Sequence, residues 1–131
     1  MIVLDASAAI EWLLQTQTGM VIEQRIFSSA ETLHAPHLLD VEVAQVLRRY
    51  VATGSLRAGR AQQALQDLID LRLTRYPHAP FLPRVWELRA NVSAYDALYI
   101  ALAEVLRATL LTCDGKLASA PRNHARIQLI D

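Results

Sequence analysis

The sequence is poor in several things that other proteins rely on. It has one cysteine, Cys113, so an internal disulfide and a thiolate zinc site are both excluded. A reducing cytoplasm is the expected compartment. No lysine or arginine precedes Arg25, so the start carries no basic leader of an export signal. The longest unbroken apolar run, Ala97 to Ala103, is far short of the ~18 residues of a membrane span. Net charge is zero, so no global field announces a nucleic-acid partner. Lysine itself is nearly missing: Lys116 is the only one among 13 basic residues, and the rest are arginines, which grip phosphate bidentately.

What is present suits one domain spanning residues 1–131. A chain of this length can bury roughly two-thirds of its unfolded surface. With 53% apolar and 20% charged residues it is ordinary globular material rather than a disordered segment. Short apolar runs alternate with longer helical periods and no repeat intervenes, which predicts an α/β fold.

Ile2 to Leu4 reads as a strand buried on both faces. Helices are expected over Ser7 to about Gln15 and Gly19 to about Ser29, with Trp12 either in the core or on a sticky exposed face. Thr32 to Ala35 reads as a strand stopped by Pro36. A long helix follows to Thr53-Gly54, with Leu39, Val43, Val46, Leu47 and Tyr50 along one side. Arg57 to Asp70 is amphipathic, with Ala61, Leu65, Leu68 and Ile69 inward. Leu71 to Tyr76 reads as a strand, Pro77 to Pro83 as a turn region, and Arg84 to Ala90 as a helix. Ser93 opens a helix to Leu106, and Thr109 to Cys113 and Arg126 to Ile130 are the last strands.

Two of these strands run straight into an aspartate, Asp5 and Asp114. Ligands of open parallel sheets bind beyond the carboxyl ends of the strands, so both acids are candidates to face one crevice. The plainer reading is that each caps a following helix. Asp96, in Ser93-Ala94-Tyr95-Asp96, belongs to a near capping box, which is compatible with a rigidly held ligand. Glu42 lies beside the apolar stripe of its helix, where periodicity alone suggests a solvated flank. It stands about 160° from Asp40 at ~100° per residue, so the two cannot serve one cluster.

Four stretches in register, spread over nearly the whole chain, resemble the VapC-type toxin ribonucleases of the PIN-domain superfamily. They are Asp-Ala-Ser-Ala from Asp5, Ala35 to Val43, Ser93 to Glu104, and Leu-Leu-Thr-Cys-Asp-Gly-Lys-Leu from Leu110 to Leu117. The resemblance implies a PIN-like α/β fold with a parallel sheet of about five strands flanked by helices. It implies a cytoplasmic, homodimeric endoribonuclease cutting RNA to a 5′-phosphate and a 3′-hydroxyl. Its Mg²⁺, which Mn²⁺ would replace, is held by acids matching Asp5, Asp96 and Asp114, with Glu42 as the fourth acid and Ser7 and Thr112 close by. It also implies a VapB-type antitoxin that reaches the acids with a basic side chain.

Elementary electrostatics agrees with a cation. Two carboxylates ~4 Å apart repel by about 4 kcal/mol at an effective dielectric near 20, and four would not stay ionised together unaided. Oxygen ligands without histidine or cysteine suit Mg²⁺ or Mn²⁺ rather than zinc. Two other readings stay open: a phosphohydrolase with Asp5 as nucleophile, and a PIN-like binding module without catalysis. Cys113 has no histidine partner and is expected near the core. His34, His37, His78 and His124 are scattered and are expected in surface or loop roles.

Overall fold

A computed structural model describes all residues, Met1 to Asp131. Its centre is a five-stranded sheet, in the order β3-β2-β1-β4-β5. The strands are β1 (Ile2–Leu4), β2 (Leu33–Pro36), β3 (Leu73–Tyr76), β4 (Thr109–Thr112) and β5 (Arg126–Leu129). Every neighbouring pair is parallel. The apolar runs Ile-Val-Leu and Thr-Leu-Leu-Thr are buried along their whole length because β1 and β4 lie inside the sheet, while β3 and β5 form its partly exposed edges.

Seven helices cover the sheet: α1 (Ala6–Leu13), α2 (Gln17–Ser29), α3 (Leu38–Ala52), α4 (Ala58–Asp70), α5 (Leu82–Glu87), α6 (Ala94–Leu106) and α7 (Gly115–Ala118). The helix α6 is nearly all apolar because it lies deep in the molecule, with Ala97 to Ala103 buried without a break. Gly54, at φ +79°, closes the region after α3 in the left-handed conformation that glycine takes without strain. Gly19 is required for a different reason. A Cβ there would stand 2.0 Å from the Glu11 carbonyl oxygen, because α2 crosses directly against α1.

The chain order has a consequence for function. From β1 the chain steps to β2 and β3 on one side, then returns through α6 to place β4 on the other side of β1. The order in which strands are added therefore reverses between β1 and β4, and at such a switch point a crevice opens beyond the carboxyl ends of the two strands. Asp5 follows the one and Asp114 stands two residues beyond the other.

Several expectations need correction. Pro36 does not stop β2 but completes it, since it pairs with Tyr76 and its missing N–H costs that ladder little. The Pro77 to Pro83 region is helical in part, with a 3₁₀ turn over Ala79–Phe81 and Pro83 in the first turn of α5, where a proline is tolerated. Ile69 points outward and Ala64 inward, because α4 is rotated by its packing against α3. Trp12 is in the core, edge-on to the exposed Phe27. His34 is not a surface residue: it is buried in β2 between the Thr32 hydroxyl and the Tyr76 phenol, each 2.7 Å from a ring nitrogen.

Candidate active site

Asp5 stands between β1 and α1, and its side chain both caps the helix and reaches across to β4. Oδ1 caps the helix by accepting from the Ala8 backbone N–H at 3.0 Å, and it also accepts from the Ser7 hydroxyl at 2.8 Å. Oδ2 accepts from the Thr112 hydroxyl at 2.6 Å, across the β1–β4 junction. Ser7 and Thr112 each have one hydroxyl proton and each gives it to Asp5, so their 3.3 Å approach is a contact between two acceptors. Each hydroxyl oxygen accepts in turn from the strand end: Cys113 N–H donates to Ser7 and Asp114 N–H to Thr112. The carboxylate, two hydroxyls and two amides form one stitched unit. Even so, burial of this 5%-exposed group outweighs its donors and raises its pKa above the usual carboxylate range, with Asp114 adding repulsion.

The other three acids arrive from separate elements. Ser93 caps α6 by accepting from the Asp96 N–H at 3.1 Å, which fixes Asp96 in the first turn. Asp114 caps α7, accepting from the Lys116 N–H at 2.9 Å. Glu42 comes from α3 and accepts a 2.5 Å hydrogen bond from the Tyr99 hydroxyl of α6. Burial pushes Glu42 and Asp96 upward too, and their neighbours add to it: Asp5 and Asp96 act on Glu42, and Asp114 on Asp96. With Asp114 also acting on Asp5, the repulsions close a ring through all four acids. Asp40, two residues from Glu42, is outside it. Its Oδ2 accepts from Arg75 Nε at 2.8 Å, as the angular separation on the helix demands.

Tyr99 is the residue that sequence reasoning overlooked. It is buried, and both burial and Glu42 raise its pKa far above the ordinary phenol value, so it stays a donor. The signal was available, since Tyr99 is three residues from Asp96 and shares its helix face. Cys113 packs against the core as expected, and burial pushes its thiol up to about 11, too high for a nucleophilic thiolate. The reading of Asp5 as a phosphoryl-accepting nucleophile also wants a second aspartate two residues on, where this chain has Ser7.

The donor set fits one kind of divalent cation and not another. No three histidine, cysteine, aspartate or glutamate side chains converge tightly enough to enclose an ion by themselves. Zinc, which wants several close protein ligands, is therefore a poor match. Mg²⁺ keeps several waters and needs only one or two carboxylates, and four mutually repelling acids supply oxygen donors of the right hardness.

A family model described as the PIN domain matches residues 2–123. Ribonuclease VapC9 of Mycobacterium tuberculosis is 43% identical over 130 residues, covering 99% of this chain and 98% of the relative. The chain belongs to the PIN-domain family, among the VapC ribonucleases. Two crystal structures share this PIN fold. One is VapBC2 from Rickettsia felis bound to a DNA fragment from its promoter (TM-score 0.72, 17% identity, all of both chains covered). The other is Mycobacterium tuberculosis VapC20, a sarcin-ricin loop cleaving toxin (TM-score 0.68, 16% identity, 91% of this chain and 94% of that one).

Proposed function

We propose that residues 1–131 act as one catalytic unit, a metal-dependent endoribonuclease that is the toxin of a VapBC-type pair. Asp5, Glu42, Asp96 and Asp114 are its working acids, with Ser7 and Thr112 supporting Asp5. The observation that carries this reading is the gathering of four acids at the ends of β1 and β4: Asp96 and Asp114 line one cavity, Asp5 is bonded to Thr112 two residues before Asp114, and Glu42 of α3 is bonded to Tyr99 of α6, the helix that carries Asp96. Burying like charges together costs stability, and a site that pays this cost is more readily explained by cation binding than by architecture.

Asp96, Asp114 and the free lone pair of Asp5 Oδ2 are the groups that would hold Mg²⁺, or Mn²⁺ in its place, with Glu42 as the fourth acid. When bound, the ion supplies neutralisation of the phosphate charge and lowers the pKa of a coordinated water. The protein's own part is orientation and proton handling. Ser7 and Thr112 lock the Asp5 carboxylate, and Tyr99 fixes Glu42. Glu42, with its raised proton affinity, accepts a proton from the attacking water. The water oxygen bonds to phosphorus as the bond to O3′ breaks, and the departing O3′ takes a proton from solvent, leaving a 5′-phosphate and a 3′-hydroxyl.

The name of the 43%-identical relative supports RNA as substrate, and the similar VapBC2 structure supports a VapB-type antitoxin as partner. The family reading also carries a homodimer. No helix is long and apolar enough to cross a membrane. Purified protein should cleave a susceptible RNA with Mg²⁺ or Mn²⁺ and stop in EDTA. Undiminished cleavage in chelator would defeat the metal-dependent reading.

A further inference from the structure

Beside Asp96 and Asp114 lies a cavity of about 500 Å³, well within the roughly 300–1,000 Å³ of small-molecule sites. Its lining is mostly polar, and two of its side chains have no partner in the fold. Lys116, the only lysine of the chain, enters none of the five ion pairs. Asn91 spends only its backbone N–H, on the Leu88 carbonyl, and keeps its side-chain amide free. Lys116 is also the only cationic side chain lining the cavity, which it shares with Asp96 and Asp114.

Part of the wall is anchored by hydrogen bonds. Ser119, Ala120 and Pro121 belong to it, and the segment that follows is tied to α5 and α6. Arg84 of α5 grips both oxygens of Glu104 of α6, at 2.9 and 3.1 Å, and the His124 N–H donates to Glu104 at 2.7 Å. Asn123 bridges the Ala120 carbonyl and the Ala125 N–H from within that segment. The cavity is thus lined by two acids, a lone ammonium and a free amide.

Resting on the ribonuclease reading, we propose that this cavity seats the nucleotide adjoining the cut phosphate, with Lys116 pairing the neighbouring phosphate and Asn91 hydrogen-bonding the base. The charges favour a polyanion that carries a second phosphate one nucleotide away. Four acids repel RNA wherever no cation intervenes, so a strand leaving the reacting centre needs a positive group at its next phosphate. An ammonium is a compact point charge that satisfies one phosphate without demanding a fixed bidentate geometry. A planar amide with paired donor and acceptor is the side chain suited to a base edge. Lys116 and Asn91 are positioning and specificity residues here, since neither touches the reacting atoms.

Two measurements test this separately from the cleavage reading. Binding of a short fluorescein-labelled single-stranded RNA to Asp5→Asn protein in Mg²⁺, followed by anisotropy over a range of KCl, gives the slope of log K against log salt. Adding Lys116→Ala should weaken binding about tenfold and reduce the slope by about 0.7, the share of one phosphate on a single strand, while Lys116→Arg should restore both. In the otherwise native protein, Lys116→Ala should raise KM with kcat nearly unchanged, and Asn91→Ala should alter preference at one position beside the cut. An unchanged slope overturns the proposal even if cleavage is confirmed. So does a loss confined to kcat, or RNA binding that is intact while only association with an antitoxin suffers. A Lys116-dependent slope in a protein that cuts no RNA keeps the subsite and defeats the ribonuclease reading.

Discussion

The Tyr99 hydroxyl donates to Glu42 Oε1 at 2.5 Å and joins α6 to α3 directly over the acid ring. It is the one hydrogen bond that Glu42 receives, and it alone opposes the burial and repulsion that push that carboxyl toward its neutral form. Tyr99→Phe should therefore lower the cleavage rate and move the acidic limb of its pH profile upward. The cost in stability should be about 1–2 kcal/mol, as for a buried acceptor deprived of its donor. A pH–rate profile and a denaturation curve check the two effects independently.

Glu42→Gln should abolish most cleavage with the fold intact. Asp40→Asn should remain active. It breaks the pair with Arg75, a half-exposed interaction worth roughly 0.5–1 kcal/mol after solvent screening. Matched rates and melting curves decide this, and the reverse pattern would transfer the fourth acid to Asp40.

Asp5→Asn should eliminate cleavage without lowering the metal-free melting temperature at neutral pH. The folded-state pKa of Asp5 lies above its unfolded value, so its favourable contribution is complete at low pH and is lost as pH rises through the folded pKa. At pH 7 the buried charge is a burden, which the amide removes while keeping an oxygen for the Ala8 cap. The variant's advantage should shrink toward roughly pH 4. A loss above about 2 kcal/mol would make Asp5 primarily a structural cap.

His34 gives the opposite slope. Burial holds its pKa below the ordinary histidine value, with the N-terminal ammonium adding to the effect. Above about pH 6.5 it is neutral in both states and neutral to stability. As pH falls through that value, only the unfolded chain gains the proton, and stability drops until the folded pKa is reached. His34→Gln should flatten this decline. Comparing melting temperatures of the two proteins from neutral to mildly acidic pH isolates His34 from the carboxyls, of which Asp5, Glu42 and Asp96 act in the other direction and Glu31 and Glu104 in the same one.

Gly19→Ala should destabilise the fold by about 1–3 kcal/mol, because the added methyl meets backbone rather than a movable side chain. Denaturant melts of the variant measure this, and its activity per folded molecule should be preserved.

Strand positions in the sheet's interior were legible because burial on both faces leaves an unbroken apolar run, as in Ile2–Leu4. The helix α6 was readable from Ser93 and its apolar body for a similar reason. Asp5 and Asp114 could be nominated from strand ends, but not separated from ordinary caps, and in fact each is also a cap. Glu42 was legible only through family resemblance, since its companion Tyr99 lies 57 residues away and periodicity is blind to such a distance. The misread residues have tertiary causes. His34 is buried because Thr32 and Tyr76 satisfy its ring, and Ile69 is exposed because a neighbouring helix sets the rotation of α4.

The order of the strands also fixes when the molecule becomes dangerous. Because β1 finds β4 only across most of the chain, Val3 pairing with Leu110, the acids stay scattered while the protein is being made. Asp114 must clear the ribosome before Thr112 can meet Asp5. Loop closure over that distance is slow compared with local helix formation. A nascent chain, or one cut short before Thr112, therefore lacks the contact that joins the two strand ends.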